Sequence, residues 1–347
     1  MEFIRTIVTI LLAIITAGAA QVADPSQVAT ASIRQVALGA SMSPGDRDQA
    51  TYDTFRTASG RAPALWSIWS DWGGSTSAFP DVAFLNHLRG HGTVPIIVWQ
   101  PLEPANPQLS TYAYSKIANG EQDEYIRTFA QAAKAFGGRV LIRFAHEMEG
   151  YWFPWGMGRF DNTPTNFKAA WKHVWNIFRG TGGVGATNVR FVWSPNGCYS
   201  IHKLSQCRKV LHALYPGDKY VDYLGFSAFN WGGGDWIAMD KLYLPKVKGM
   251  AFVPTKKGMV APDKPIIVTE TGSAPKGTHA HPGTKADWIK VGYPAVYSAY
   301  PRIKAIVYFN VDMRSAGGRQ ADWRLTGSAL TAYRNLLKKP KFRGSIH

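Results

Sequence analysis

Eight short runs of β-branched and aromatic residues, spaced by longer segments of helical period, constrain this 347-residue chain more than any other feature. The runs are Gln35 to Gly39, Leu65 to Ser70, Pro95 to Trp99, Val140 to His146, Val189 to Ser194, Tyr223 to Phe229, Pro265 to Thr269 and Ala305 to Phe309. Each is nearly all apolar, as strands buried on both faces of a parallel sheet must be. Between them, Glu121 to Phe136 places Tyr125, Phe129, Ala132, Ala133 and Phe136 on one helical face. Phe167 to Phe178 does the same with Phe167, Ala170, Trp171, Val174 and Phe178, and Ser328 to Leu337 closes the series. Eight strand and helix units are the count of a (β/α)8, or TIM, barrel. No Pro- or Gly-rich linker breaks the middle of the chain, so the expected fold is α/β, a single domain over residues 35–340.

Composition agrees with a packed core: 46% hydrophobic and 18% charged residues exclude a disordered chain. Residues 1–20 read as a secretory signal peptide. Arg5 supplies the positive start, Ile7 to Ile15 the apolar stretch, and Ala17-Gly18-Ala19 the small residues of a cleavage site. The stretch falls short of the roughly 20 apolar residues a membrane span needs. The protein is therefore expected to be secreted as a monomer, without stable membrane insertion. Retention of the segment as an extracytoplasmic anchor is the alternative. Residues 21–34 read as a short linker and 341–347 as a basic tail. The two cysteines, Cys198 and Cys207, close a loop of about ten residues, and in an oxidising compartment a disulfide there would stabilise the fold by roughly 2–3 kcal/mol.

Lys and Arg exceed Asp and Glu by 39 to 23, a formal charge of +16. A nucleic-acid partner would need those cations in a stripe or motif. They are scattered, with Lys256-Lys257 and Lys338 to Arg343 the densest places, so no nucleic acid is expected. Association with anionic cell-envelope polymers fits the charge better. The glycines of Gly180 to Gly185 have dinucleotide-binding spacing, but they follow a helix and precede a strand, the reverse of the order that places phosphates at a helix N-terminus.

In such a barrel the strand ends and the loops after them build the active site. Two runs end on a carboxylate: Leu141 to Glu147, and Ile266 to Glu270. Hydrolysis of a glycosidic bond uses two carboxyl groups, one protonating the leaving oxygen and one attacking or stabilising the anomeric carbon. Strands four and seven face each other across a barrel mouth, so the pair could meet at one sugar ring.

The segment Arg143-Phe144-Ala145-His146-Glu147-Met148-Glu149-Gly150-Tyr151-Trp152-Phe153-Pro154-Trp155-Gly156 resembles the acid/base signature of glycoside hydrolase family 26. Thr269 to Gly272 is similar to its nucleophile strand, Asp222 to Gly232 to its sixth strand, and Asp322 to Leu325 to a late loop. That family has a (β/α)8 fold and hydrolyses β-linked polysaccharides with retention, most familiarly as endo-β-1,4-mannanases. The resemblance implies Glu147 as general acid/base and Glu270 as nucleophile. It implies His146, Arg143, Trp152, Trp155, Trp231, Phe229, Asn230 and Trp323 as substrate-binding residues, with Arg143 helping to keep Glu270 ionised. Polysaccharide is the implied partner, mannan first. β-1,3-1,4-glucan, β-1,3-xylan, a bacterial exopolysaccharide, or binding without catalysis are the alternatives. The chain has Ser227 and Phe229 where the family has Asp and Tyr, and Glu149 where it has Asn. No cofactor and no metal is expected, because no carboxylate or third ligand accompanies the pairs His87/His91 and His279/His281. Trp69, Trp72, Trp99 and Trp193 read as core, and Asn196 as a residue shaping its loop.

Overall fold

The computed structural model describes residues 33–43, 45–197, 203–232, 234, 236–250, 254–255, 258–259, 264–314 and 321–346. The expected signal peptide and most of the linker lie outside the described residues, as does Cys198. From Gln35 onward the chain forms one compact unit. Its strands are β1 (Ala37–Ser41), β2 (Leu65–Asp71), β3 (Val94–Gln100), β4 (Val140–Phe144), β5 (Val189–Trp193), β6 (Tyr223–Asn230), β7 (Ile266–Ser273) and β8 (Ile303–Phe309). They close a barrel in chain order, each parallel to its neighbours, with β8 returning to β1. A hairpin of two-residue strands, Pro254–Thr255 and Gly258–Met259, stands apart. The eight-stranded parallel barrel is the expected (β/α)8 fold.

The helices outside it are α1 (Gln49–Ser59), α2 (Val82–Gly90), α3 (Tyr114–Ala118), α4 (Asp123–Phe136), α5 (Pro164–Arg179), α6 (Leu204–Leu214), α7 (Met239–Met250), α8 (Lys285–Ala299) and α9 (Gly327–Leu337). Their starts follow from capping. Asp48 accepts from the Ala50 and Thr51 amides, and Thr163, followed by Pro164, accepts from Asn166. The buried stripe of α4 is Ile126, Phe129, Ala130, Ala133 and Phe136, rotated from the expected one so that Ile126 and Ala130 replace Tyr125 and Ala132. Among the described residues no helix is long and apolar enough to cross a membrane.

Every strand differs from its expected run at one end or both, and the shifts of β1 and β4 have a local cause. β1 begins at Ala37 because Val36 is held by the C-terminal segment, its amide donating to Lys341 O (2.9 Å) and its carbonyl accepting from Gly344 (3.2 Å). That segment is therefore not a free basic tail. Phe342 and Ile346 are buried, and Ile346 packs into the same cluster as Leu65, Ile96, Leu141, Val192 and Ile267. β4 stops at Phe144 because Ala145 turns into the left-handed region at φ 44°. β7 runs past Thr269 to Ser273.

Side-chain alternation sorts each strand into an outward set under the helices and an inward set along the axis. The inward set contains the apolar cluster with Ile346 at one end. Beyond it along the chain come Arg143, Ser194, Ser227 and Thr269. Phe309 and Trp323 belong to another cluster, with Trp69, Phe229 and Trp231 packed against it.

Candidate active site

On β4, Leu141 belongs to the axial apolar cluster, so Arg143, two residues on, points along the same inner face. Regular alternation ends there. Ala145 (φ 44°) and Glu147 (φ 53°) both take left-handed backbone, a conformation that costs an L-residue with a Cβ on the order of 1–3 kcal/mol. The surrounding sheet holds the turn: the Ala145 amide donates to Trp99 O (3.0 Å) and the Glu147 amide to Ser194 O (2.8 Å). Glu147 thus sits on a rigid turn pinned to β3 and to the end of β5.

Glu270 reaches the interior by a different device. Phe226 pairs with Val268, but the next residue, Ser227, pairs with Glu270, leaving Thr269 as an extra residue in β7. Against β8 the register slips at the same place, Ile306 opposite Val268 and Tyr308 opposite Thr271. With Ile267 inward and Val268 outward, strict alternation would aim Thr269 inward and Glu270 at the helices. The bulge brings both inward. Thr269 Oγ1 lies 2.8 Å from Ser194 Oγ and donates to Phe226 O (3.0 Å), while Thr271 faces out to Tyr243 of α7.

Arg143, fully buried, links these strands. Its Nη1 donates to Glu270 Oε1 (2.5 Å), its Nη2 to Ser227 Oγ (2.9 Å) and its Nε to Ser194 Oγ (3.0 Å). Burial pushes the Glu270 carboxyl up to about 7; the guanidinium and the Ser227 hydroxyl pull the other way, and the nearby Glu147 charge adds to the rise. Arg143 therefore favours the ionised form, as expected, but desolvation outweighs it. Glu147 Oε2 accepts from the Trp152 indole (2.9 Å). His146 is buried between the rings of Trp69, Phe153 and Trp155. Burial and Arg143 hold it well below the usual histidine range, so it is neutral at pH 7, and its Nδ1 has no partner among the described residues.

The expected sugar contacts divide into two groups. Trp152 (36% exposed), Trp231 and Phe229 reach the surface. Trp155 does not: it is 1% exposed, its indole donates to His146 O (2.7 Å), and its ring stacks on Phe153 at 4.4 Å. Trp323 is likewise buried, stacked under Phe229 at 4.4 Å. Asn230 points outward, donating to Ser273 Oγ and accepting from the Ile237 amide. Arg143 has no exposed surface for a sugar. These four support the site from behind rather than line it.

Other participants were hidden from sequence reasoning. Ser227 is not a vacancy left by an Asp but a partner of both Arg143 and Glu270. Trp69, read as core, is partly exposed at the mouth against His146 and Phe309. Lys246 of α7 is buried and donates to Asn196 O (2.6 Å) and Oδ1 (3.0 Å), while Glu149 accepts from the Gly197 amide, so both side chains fix the loop after β5. Burial lowers Lys246 to about 8 against the pull of Glu147 and Glu149. Only its position in an amphipathic segment could have marked it. Away from the mouth, Asp53 of α1 lies beside His87 and His91, correcting the reading that these histidines lack a carboxylate.

A parallel (β/α)8 barrel carrying two acidic side chains from β4 and β7 at one mouth, backed by a buried arginine, defines the class: a barrel of the glycoside-hydrolase type. The family model for glycosyl hydrolase family 26 matches residues 97–267, and the chain belongs to that family. It is 32% identical over 263 residues to Endoglucanase H of Acetivibrio thermocellus, covering 73% of this chain and 25% of that protein. It is 25% identical over 204 residues to mannan endo-1,4-β-mannosidase of Bacillus subtilis strain 168, covering 51% of this chain and 53% of that one. The chain thus spans a quarter to about half the length of these relatives. Among solved structures, a β-mannanase of the same family from Bacteroides ovatus superposes with a TM-score of 0.62 at 18% identity, over 89% of this chain and 90% of that chain. The Bacillus subtilis mannanase man26 superposes at 0.57 and 19% identity, over 91% and 88%. At such identities the superpositions speak to fold alone.

Proposed function

We propose that the protein is an exported endo-β-glycanase that cleaves a β-linked polysaccharide by double displacement. The observation that carries the reading is the pair of glutamates, one on a strained turn and one on a bulged strand, both aimed at the same mouth. Glu270 would attack the anomeric carbon while Glu147 delivers a proton to the departing glycosidic oxygen, leaving the sugar esterified to Glu270. With that ester formed, the Glu270 charge is gone. Glu147, now ionised, takes a proton from water as its oxygen attacks the same carbon and releases Glu270. Buried, neutral His146 backs the mouth from behind Trp69 rather than reaching a sugar. Trp152, Trp231 and Phe229 offer faces for pyranose rings.

Mannan leads as substrate by family resemblance. A β-glucan is the second reading, favoured because the relative that aligns over 73% of this chain is called an endoglucanase and because Ser227 and Phe229 depart from the family pattern. The test is reducing-end release from mannan, glucomannan, mixed-linkage β-glucan, β-1,3-xylan and cellulose, with Glu147→Gln and Glu270→Gln as controls. Cleavage of one polymer, abolished in both variants, supports the proposal. Binding without cleavage by wild type overturns it. We further infer export with removal of residues 1–20, read out by N-terminal sequencing of secreted protein. A Cys198–Cys207 bridge is part of the same reading; Cys207 is buried on α6.

A further inference from the structure

Three side chains that the proposed reaction does not use converge on the outside of the barrel, between α1 and α2. Asp53 belongs to α1. His87 lies in the last turn of α2 and His91 is its C-terminal cap residue. The four-residue spacing puts both imidazoles on one side of that helix. The ligand atoms of all three residues lie within 4.8 Å of one another. His87 Nε2 is 3.1 Å from Asp53 Oδ1. Two atoms bound to one ion at about 2.0–2.1 Å in near-tetrahedral geometry stand roughly 3.1–3.4 Å apart. This pair is already spaced as two ligands of a shared ion.

The two rings are also held. Tyr52 packs edge-on against His87 (5.6 Å between centroids) and stacks on His91 (6.0 Å). The Tyr52 hydroxyl is anchored to Thr93 Oγ1 at 2.7 Å, which itself donates to Pro63 O at 2.6 Å. Asp53 and His87 are half-buried, whereas His91 is exposed. That leaves an open side where water completes the coordination.

We propose that Asp53, His87 and His91 bind a divalent transition-metal ion of the zinc, nickel or copper kind, clamping α1 to α2. Two imidazoles and one carboxylate suit such ions. Calcium and magnesium prefer oxygen cages. One neighbour opposes the ion: the Arg56 guanidinium lies 3.2 Å from the same Asp53 oxygen and must yield it. This makes a prediction in the unusual direction, that removing Arg56 tightens binding.

The test is calorimetric titration of tag-free, chelator-stripped full-length protein with zinc chloride, repeated with nickel chloride. One ion per chain is expected. Affinity should fall at least about tenfold in His91→Ala and in Asp53→Asn, as loss of a ligand demands. It should rise in Arg56→Ala and stay unchanged in the double variant His279→Ala/His281→Ala. Zinc should raise the Tm of wild type and leave that of His91→Ala unmoved. Because His91 is exposed, its alanine variant keeps the fold, and matching metal-free melting curves check this. No saturable binding by wild type, or binding that survives loss of His91 and of Asp53, overturns the proposal.

Discussion

Replacing Arg143 with methionine removes the positive charge from the barrel interior while keeping an unbranched apolar side chain of similar reach. With the guanidinium in place, burial already holds Glu270 at about 7. An arginine in contact with a carboxylate lowers its pKa by about 1–3 units, so the variant should carry Glu270 at roughly 8–10. As the proposed nucleophile, Glu270 must be ionised to attack. At pH 7 the ionised share would fall from about one half to between roughly one tenth and one thousandth, a loss of about 5- to 500-fold in kcat/KM. The sign is definite: raising the pKa of a group that works unprotonated moves the acid limb of the kcat/KM profile to higher pH. The assay is that profile, measured on the polymer the wild type cleaves, with Arg143→Lys alongside to keep the charge and lose the three-way bonding. Arg143→Lys should keep the limb near its wild-type position even if its rate falls. A profile for Arg143→Met that drops evenly at every pH, with the limb unmoved, would refute the electrostatic reasoning and leave Arg143 a role in packing alone.

Trp152→Phe keeps most of the aromatic face but deletes the 2.9 Å bond to Glu147. A hydrogen bond to a charged group contributes about 1.5–3 kcal/mol, so kcat should fall roughly 10- to 100-fold with little change in KM, read by steady-state kinetics. Ala145→Gly relaxes the left-handed turn at φ 44° and should raise unfolding free energy by about 1 kcal/mol in urea; destabilisation would show that the lost methyl matters more than the strain. Burial depresses Lys246 from 10.5 to about 8, so between those values the unfolded chain binds more protons and stability rises with pH, by roughly 3 kcal/mol across the window. Urea midpoints at pH 7.5 and 9.5 should diverge accordingly for wild type and less for Lys246→Met, the comparison cancelling the buried tyrosines, which act oppositely above pH 10. Deleting residues 342–347 removes Phe342 and Ile346 from the core and should cost about 3–6 kcal/mol, whereas a free tail would cost nothing measurable.

The barrel was legible because its signals are local: eight apolar runs and two helical stripes announce themselves within a window of a few residues. Glu147 and Glu270 were legible as carboxylates ending such runs. What the runs could not convey is geometry that departs from their own period. The bulge at Thr269 leaves no mark in Ile266-Ile267-Val268-Thr269-Glu270, yet it decides which way Glu270 faces. Nothing in Ala145 or Glu147 announces a positive φ, since that backbone is imposed by bonds from Trp99 and Ser194 on neighbouring strands. Tryptophans were the least legible: Trp155 and Trp152 stand three residues apart in one motif, and packing buries the first while exposing the second. Asp53 and His87, 34 residues apart, meet only because consecutive helices of a barrel lie side by side.

The departures at positions 227 and 229 fit a single rearrangement of the mouth. A buried carboxylate needs donors to its charged form, and Glu270 finds them in Arg143, reaching across the barrel interior from β4, and in the Ser227 hydroxyl of the adjacent β6. Ser227 is short enough to leave the Arg143 guanidinium its direct line to Glu270, where a second carboxylate would compete for the same fork. Phe229 gives up a hydroxyl but lies flat on Trp323 at 10° and 4.4 Å, with Trp231 and Phe309 completing an aromatic wall. Glu270, the proposed nucleophile, is thus supported by an arginine and a serine within the barrel, while Phe229 adds apolar area to the wall. Introducing the hydroxyl with Phe229→Tyr should therefore do little for the rate, because Glu270 already has its donors. A gain of tenfold or more in kcat would show that Arg143 and Ser227 leave the carboxylate under-supported.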